Sequence, residues 1–148
     1  MIGTFHSVIL RVLLTPIVAS LQLFAIYVVA HGHYSPGGGF QGGVLLGASL
    51  ILPLLSRGRS HGLFLLTERG AAVMGAVGVL IFASFGLESM IMGLPMLDYS
   101  GLPLDGFDAS ARRSLGILGI EAGVTLAVAG AVVSIFYSLY EDNEEATP

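Results

Sequence analysis

The sequence predicts an all-α integral membrane protein of about four transmembrane helices. Three observations lead there. Of the 148 residues, 54% are hydrophobic and 11% are charged, where a soluble domain carries about 25% charged residues. The mean hydropathy is +0.85, so too little polar surface exists to coat a water-soluble globule. The apolar residues fall into runs close to the roughly twenty residues that cross a hydrocarbon core. Lipid admits only helices or closed barrels, and no run shows the alternation of a barrel strand. The length fits one domain, so residues 1–148 are read as a single membrane domain.

The first predicted span covers about residues 8–30, with Arg11 near its start and Gln22 inside it. It begins almost at Met1 and no small-residue cleavage site follows, so it is expected to remain as a span. The second covers about 40–55 and is short for a crossing. The third covers about 70–94 and the fourth about 115–140. Between them lie a Gly/Pro-rich link at 32–39, an arginine-bearing loop at 56–69, and a loop at 95–114 with prolines and acids. Arg11, Arg57, Arg59 and Arg69 fall on one side of a four-span chain. Arg112 and Arg113 fall on the other side, with Asp98, Asp105 and Asp108. The excess of arginine places both termini and the second loop in the cytoplasm of a multi-pass cell-membrane protein.

Several function classes are excluded or weakened. There is no cysteine, which removes disulfides, thiolate metal sites and a cysteine nucleophile. There is no lysine, and six arginines form no patch of nucleic-acid size. No nucleophile constellation, cofactor motif or redox centre is visible, so the chain by itself is expected to be no enzyme and to hold no cofactor. The acids Glu141, Asp142, Glu144 and Glu145 crowd the C-terminal end, where a solvated tail is expected.

The most specific segment is His31-Gly32-His33-Tyr34-Ser35-Pro36-Gly37-Gly38-Gly39-Phe40-Gln41-Gly42-Gly43. Three consecutive glycines permit positive φ and close backbone approach. Pro36 fixes one dihedral and keeps Ser35 extended. The expectation is a tight, irregular link at the membrane edge, which must rest against protein or a hydrated cavity. A phosphate cradle is a weak reading without a P-loop lysine or a preceding strand. A metal site at His31 and His33 is also weak: residues two apart on a helix do not share a face, and no third ligand is near. The bland reading is that both histidines bond the turn. Proton transfer is the alternative, since a histidine titrates near neutrality.

This segment resembles the hallmark sequence between the first two helices of the MnhB/MrpB family, the B-type subunits of Mrp-type multisubunit Na+/H+ antiporters. The resemblance covers most of the chain: similar length, four spans, the motif in the same place. A related domain occurs in membrane-bound hydrogenases and similar respiratory complexes. The resemblance implies a non-catalytic membrane subunit whose partners are other subunits of such an assembly, with Na+ and H+ as the transported ions. The sequence leaves open whether the host is a stand-alone antiporter or a redox-driven pump.

Two features of the later spans complete the picture. Gly119, Gly123, Ala127 and Ala131 form a small-xxx-small row in the fourth span, suited to close packing against a sister span or another subunit. Ala71, Gly75 and Gly78 form a looser row in the third. Intramembrane acids are expensive and point to function by default. Glu88 and Glu121 are expected at similar depth on the outer side, near His31 and His33. These four are the candidate ion-path residues. The opposing reading is structural: a protonated glutamate bonded to a neighbouring helix, one that snorkels to the interface, or one paired with Arg112 or Arg113. Thr125, four residues after Glu121, extends its face away from the glycine row.

Overall fold

The computed structural model describes residues 8–32, 37–57, 67–102 and 106–145. Of the residues singled out above, His33, Tyr34, Ser35, Pro36, Arg59 and Asp105 lie outside them. The described chain is helical and contains four apolar helices long enough to cross a membrane. Helix α1 spans Val8–Ala30, α2 Gly38–Arg57, α3 Glu68–Ile91 and α4 Ala109–Glu145, with a short 3-10 turn at Tyr99–Gly101.

The helix ends follow local chemistry. Thr67 caps α3, its Oγ1 accepting from the Gly70 N–H at 3.1 Å. That helix stops at Ile91, short of the expected residue 94. Gly93 takes a left-handed φ of 72°, and its N–H bonds back to the Met90 carbonyl at 3.0 Å. Asp108 caps α4, accepting from the Ala111 N–H at 2.7 Å. This helix has 37 residues, about 55 Å at ~1.5 Å per residue. It outruns a hydrocarbon core of about 30 Å, so its ends continue into the polar layers.

Helix α4 is the hub. It packs on α3 and α2, and α1 packs mainly on α2. Close glycine approaches set the directions. Gly78 meets Ala127 while Gly123 meets Phe82, so α3 and α4 are antiparallel. Gly39 meets Glu121, Gly43 meets Thr125 and Gly47 meets Ala129, so α2 and α4 are parallel. Near the ends of α2 and α4 the buried side chains Leu54, Ala71, Val133 and Tyr137 form a core with Leu50, Ile51 and Phe136 packed against it. Among the described side chains of α1, only Ala25 is buried. Its Leu23, Phe24, Ile26 and Tyr27 are exposed, as befits a span that faces lipid on most sides.

The small-residue row of α4 is used against α3, with one correction. Gly119 lies under the Phe85 ring, and Gly123 and Ala127 against Phe82 and Gly78. Ala131 is exposed. Gly130 takes its place, a Cβ there lying 2.6 Å from the Gly75 Cα and 2.7 Å from the Ala71 carbonyl oxygen. The reason is the helical period. Eleven residues from Gly119 return to nearly the same face at ~3.6 residues per turn, whereas twelve overshoot by about a third of a turn.

Candidate functional site

The site is built where α1 ends and α2 begins. The last turn of α1 closes on His31, whose N–H bonds the Tyr27 carbonyl at 3.1 Å. The His31 Nδ1 stands 3.0 Å from that same oxygen, and its ring packs on Tyr27 with centroids 4.1 Å apart. The ring is exposed, while Gly32 beside it is buried. Across the link, Gly37 has φ +98°, which glycine adopts without a Cβ clash. Its carbonyl accepts the Gln41 N–H at 3.1 Å.

From Gly38 onward the chain is helical, which takes Gly38 and Gly39 out of the irregular link expected at 32–39, while Phe40, Gln41, Gly42 and Gly43 fall in the second helix as expected. Helix formation satisfies backbone groups that lipid cannot. The glycines then serve as two packing faces. Gly38 and Gly42 look toward α1: a Cβ would lie 3.0 Å from the Val28 carbonyl oxygen at the first and 3.2 Å from that of Ala25 at the second. Gly39 and Gly43 look toward α4, where a Cβ would lie 2.8 Å from the carbonyl oxygens of Glu121 and Thr125 respectively. Phe40 and Gln41 point outward and are exposed. Gly47 prolongs the second face, a Cβ meeting Val132 at 3.1 Å. Its four-residue step from Gly43 was available in the sequence as the signal for this contact.

The Glu121 side chain reaches into this junction. Its Oε2 is buried. A Cβ on Gly32 would overlap the carboxylate, and one on Gly38 would lie 2.6 Å from Oε2. The carboxyl therefore occupies room that two glycines leave free, between the end of α1 and the first turn of α2. One turn further, Thr125 is buried. Its Oγ1 is 2.7 Å from the Glu121 carbonyl oxygen and 3.1 Å from that of Gly39.

The structure thus brings Glu121 to the chain segment carrying His31, and does not bring Glu88 there. From the pairings of Phe82 with Gly123 and Gly78 with Ala127, Glu88 comes level with Ile117. That is about four residues, or ~6 Å, beyond Glu121. It also belongs to α3, against which α4 turns its opposite face. The two glutamates, expected at similar depth, stand about one turn apart along α4, an offset set by the glycine contacts that fix the antiparallel register. Arg112, weighed above as a partner for either glutamate, directs its Nη1 to the Ser100 carbonyl at 3.2 Å.

The turn after α3 is a separate polar cap. Ser89 Oγ donates to the Asp98 carbonyl at 3.2 Å, and Tyr99 lies over Gly116, where a Cβ would strike its ring. The backbone N–H of Ser100, bonded to Asp98 Oδ1 at 3.0 Å, holds the Asp98 carboxyl below the ordinary aspartate range. The Ser100 hydroxyl assists, desolvation opposes, and the Arg113 charge contributes least. Among the described residues no group of three or more His, Asp or Glu side chains is arranged to hold a metal ion.

Comparison with known proteins gives these elements a family context. Residues 9–134 match the family model described as a domain related to the MnhB subunit of Na+/H+ antiporter. The chain is 32% identical over 126 residues to the B-type subunit of the Na+/H+ antiporter of Bacillus subtilis (strain 168), covering 82% of this chain and 85% of that protein. It is 30% identical over 138 residues to the putative antiporter subunit mnhB2 of Staphylococcus saprophyticus, covering 90% and 94%. The mnhB2 protein of Staphylococcus aureus (strain Newman) is 29% identical over the same coverage.

Proposed function

The chain belongs to the family of domains related to the MnhB subunit of Na+/H+ antiporters, and from that premise we propose that it is a non-catalytic membrane subunit of a multisubunit Mrp-type antiporter. It lies in the cell membrane with both termini cytoplasmic, alongside other subunits of the assembly, and contributes to Na+/H+ exchange and to complex assembly. A host of the membrane-bound hydrogenase type is the less favoured reading, since the relatives are named for antiporters.

Within that role, Glu121 is the residue that takes part in the ion path. One observation carries this reading: a carboxyl oxygen buried at membrane depth where α1, α2 and α4 converge, in space kept open by Gly32 and Gly38. Such a carboxyl is expensive to keep in a membrane, and transport is the usual return. The exposed His31 marks the rim of the same junction. Glu88, on the far side of α4, lies off this path.

The test compares Glu121→Gln with Glu88→Gln in the assembled complex, scoring Na+-driven proton movement in membrane vesicles per assembled complex. Glu121→Gln is expected to lose about tenfold or more, equivalent to ~1.4 kcal/mol on the limiting step. Glu88→Gln is expected to stay within about twofold, below ~0.5 kcal/mol. Equal transport by Glu121→Gln and the unaltered protein removes Glu121 from the path.

A further inference from the structure

We propose that Thr125 is a positioning residue for the Glu121 carboxyl, setting where that group stands relative to the α1–α2 junction. The inference rests on the reading of Glu121 given above. Thr125 is 8% exposed, yet it carries a polar group at membrane depth. A threonine hydroxyl inside a helix ordinarily returns its proton to a carbonyl one turn back, and the 2.7 Å contact with the Glu121 carbonyl is that bond. A purely local bond needs no second helix. Here the same Oγ1 also lies 3.1 Å from the Gly39 carbonyl oxygen, 86 residues away in sequence. One hydroxyl proton is thereby shared between the turn that carries Glu121 and the first turn of α2.

The surroundings explain why this contact fixes the carboxyl. Gly39 and Gly43 let the α2 backbone ride directly on the α4 backbone at Glu121 and Thr125. Val124, Val128 and Val132 of α4 press into the notches left at Gly39, Gly43 and Gly47, so apolar packing already sets a coarse register between the two helices. A directional hydrogen bond at one point refines that register. Gly38, one residue before Gly39, is also the residue whose missing side chain makes room for Glu121 Oε2. A small shift of the first turn of α2 against α4 would move the space left by Gly38 relative to the carboxyl. The hydroxyl of Thr125 therefore acts on the ion site through helix register.

The experiment uses the full complex in membrane vesicles with Thr125→Val, which keeps the side-chain shape and removes the hydroxyl, and Thr125→Ser, which keeps the hydroxyl. Half-saturating Na+ concentration and the pH profile of exchange are measured per assembled complex, beside Glu121→Gln. Thr125→Val is expected to raise the half-saturating Na+ concentration by about three- to fivefold, the range set by one interhelical hydrogen bond, and to displace the pH profile. Thr125→Ser is expected to restore both. If assembly of Thr125→Val is impaired, Thr125→Ala gives the same comparison with a smaller side chain. Wild-type values in Thr125→Val, with transport lost in Glu121→Gln, overturn the positioning role alone. A Thr125→Ser defect as large as that of Thr125→Val also overturns it, because the methyl group would then be what matters. Full transport by Glu121→Gln removes the premise together with the proposal.

Discussion

Helix α4 meets α3 and α2 alike through glycines that bring backbones together, but at the α1–α2 junction what the glycines touch differs in kind. Against α3, backbone meets backbone: a Cβ on Gly78 would land on the Ala127 nitrogen and lie 2.6 Å from the Gly123 carbonyl oxygen. At the α1–α2 junction Gly32 meets the tip of the Glu121 side chain, and Gly38 meets that tip together with the Gly32 backbone. Main chain cannot move aside without moving a helix, whereas a glutamate tip can change rotamer. The α3 seam is therefore a matter of stability, and the junction a matter of where one carboxyl stands.

This contrast can be broken most decisively at Gly78. Gly78→Ala forces α3 and α4 apart and is expected to cost about 1–3 kcal/mol, the usual range for overpacking. The loss should appear as lower yield and a lower thermal midpoint of the detergent-purified chain. A Gly78→Ala chain as stable as the parent would show that the two backbones are not in the close contact described. Gly32→Ala should behave in the opposite way. Its new methyl displaces a flexible side chain, so folding should change by less than about 1 kcal/mol, while exchange per assembled complex falls by at least about threefold, the scale of one interhelical hydrogen bond. A loss of assembly with normal turnover in the survivors would assign Gly32 to packing instead. The smallest effect is expected at Gly75. A Cβ there has its nearest neighbours at 3.8 Å, ordinary contact, and alanine favours the helix by up to ~1 kcal/mol. Gly75→Ala should match or slightly exceed the parent in thermal midpoint, and a clear destabilisation would show that the seam is tighter than its geometry indicates.

The glycine motif itself shows how far the sequence reading reached. Residue types alone marked residues 31–43 as unusual and placed them between the first two spans. They also suggested an irregular link, because a run of glycines is locally compatible with turn and helix alike. Helix won from Gly38 onward because membrane backbone needs internal partners and because α1 and α4 could approach only where no Cβ stood. Glu121 and Thr125 were legible as one face of α4, since a four-residue step is fixed by the helix. The row starting at Gly119 was legible as a packing face, but the exchange of Ala131 for Gly130 depended on following the 3.6-residue period for three turns. The separation of Glu88 from Glu121 was not legible, because depth counted from helix ends ignores the register that side-chain contacts impose.

The sequence by itself determined the class of environment and the count of spans. Burial in lipid is decided by composition over about twenty residues at a time, which no distant contact alters. It also determined which residues share a helix face, since that follows from the helical repeat. Only the tertiary structure decided where the helices stop, which glycines serve packing and which serve the carboxyl, and that α4 stands between α3 and α2. Those outcomes depend on which backbones come close enough to exclude a side chain, and that is settled jointly by residues as far apart as Gly39 and Thr125.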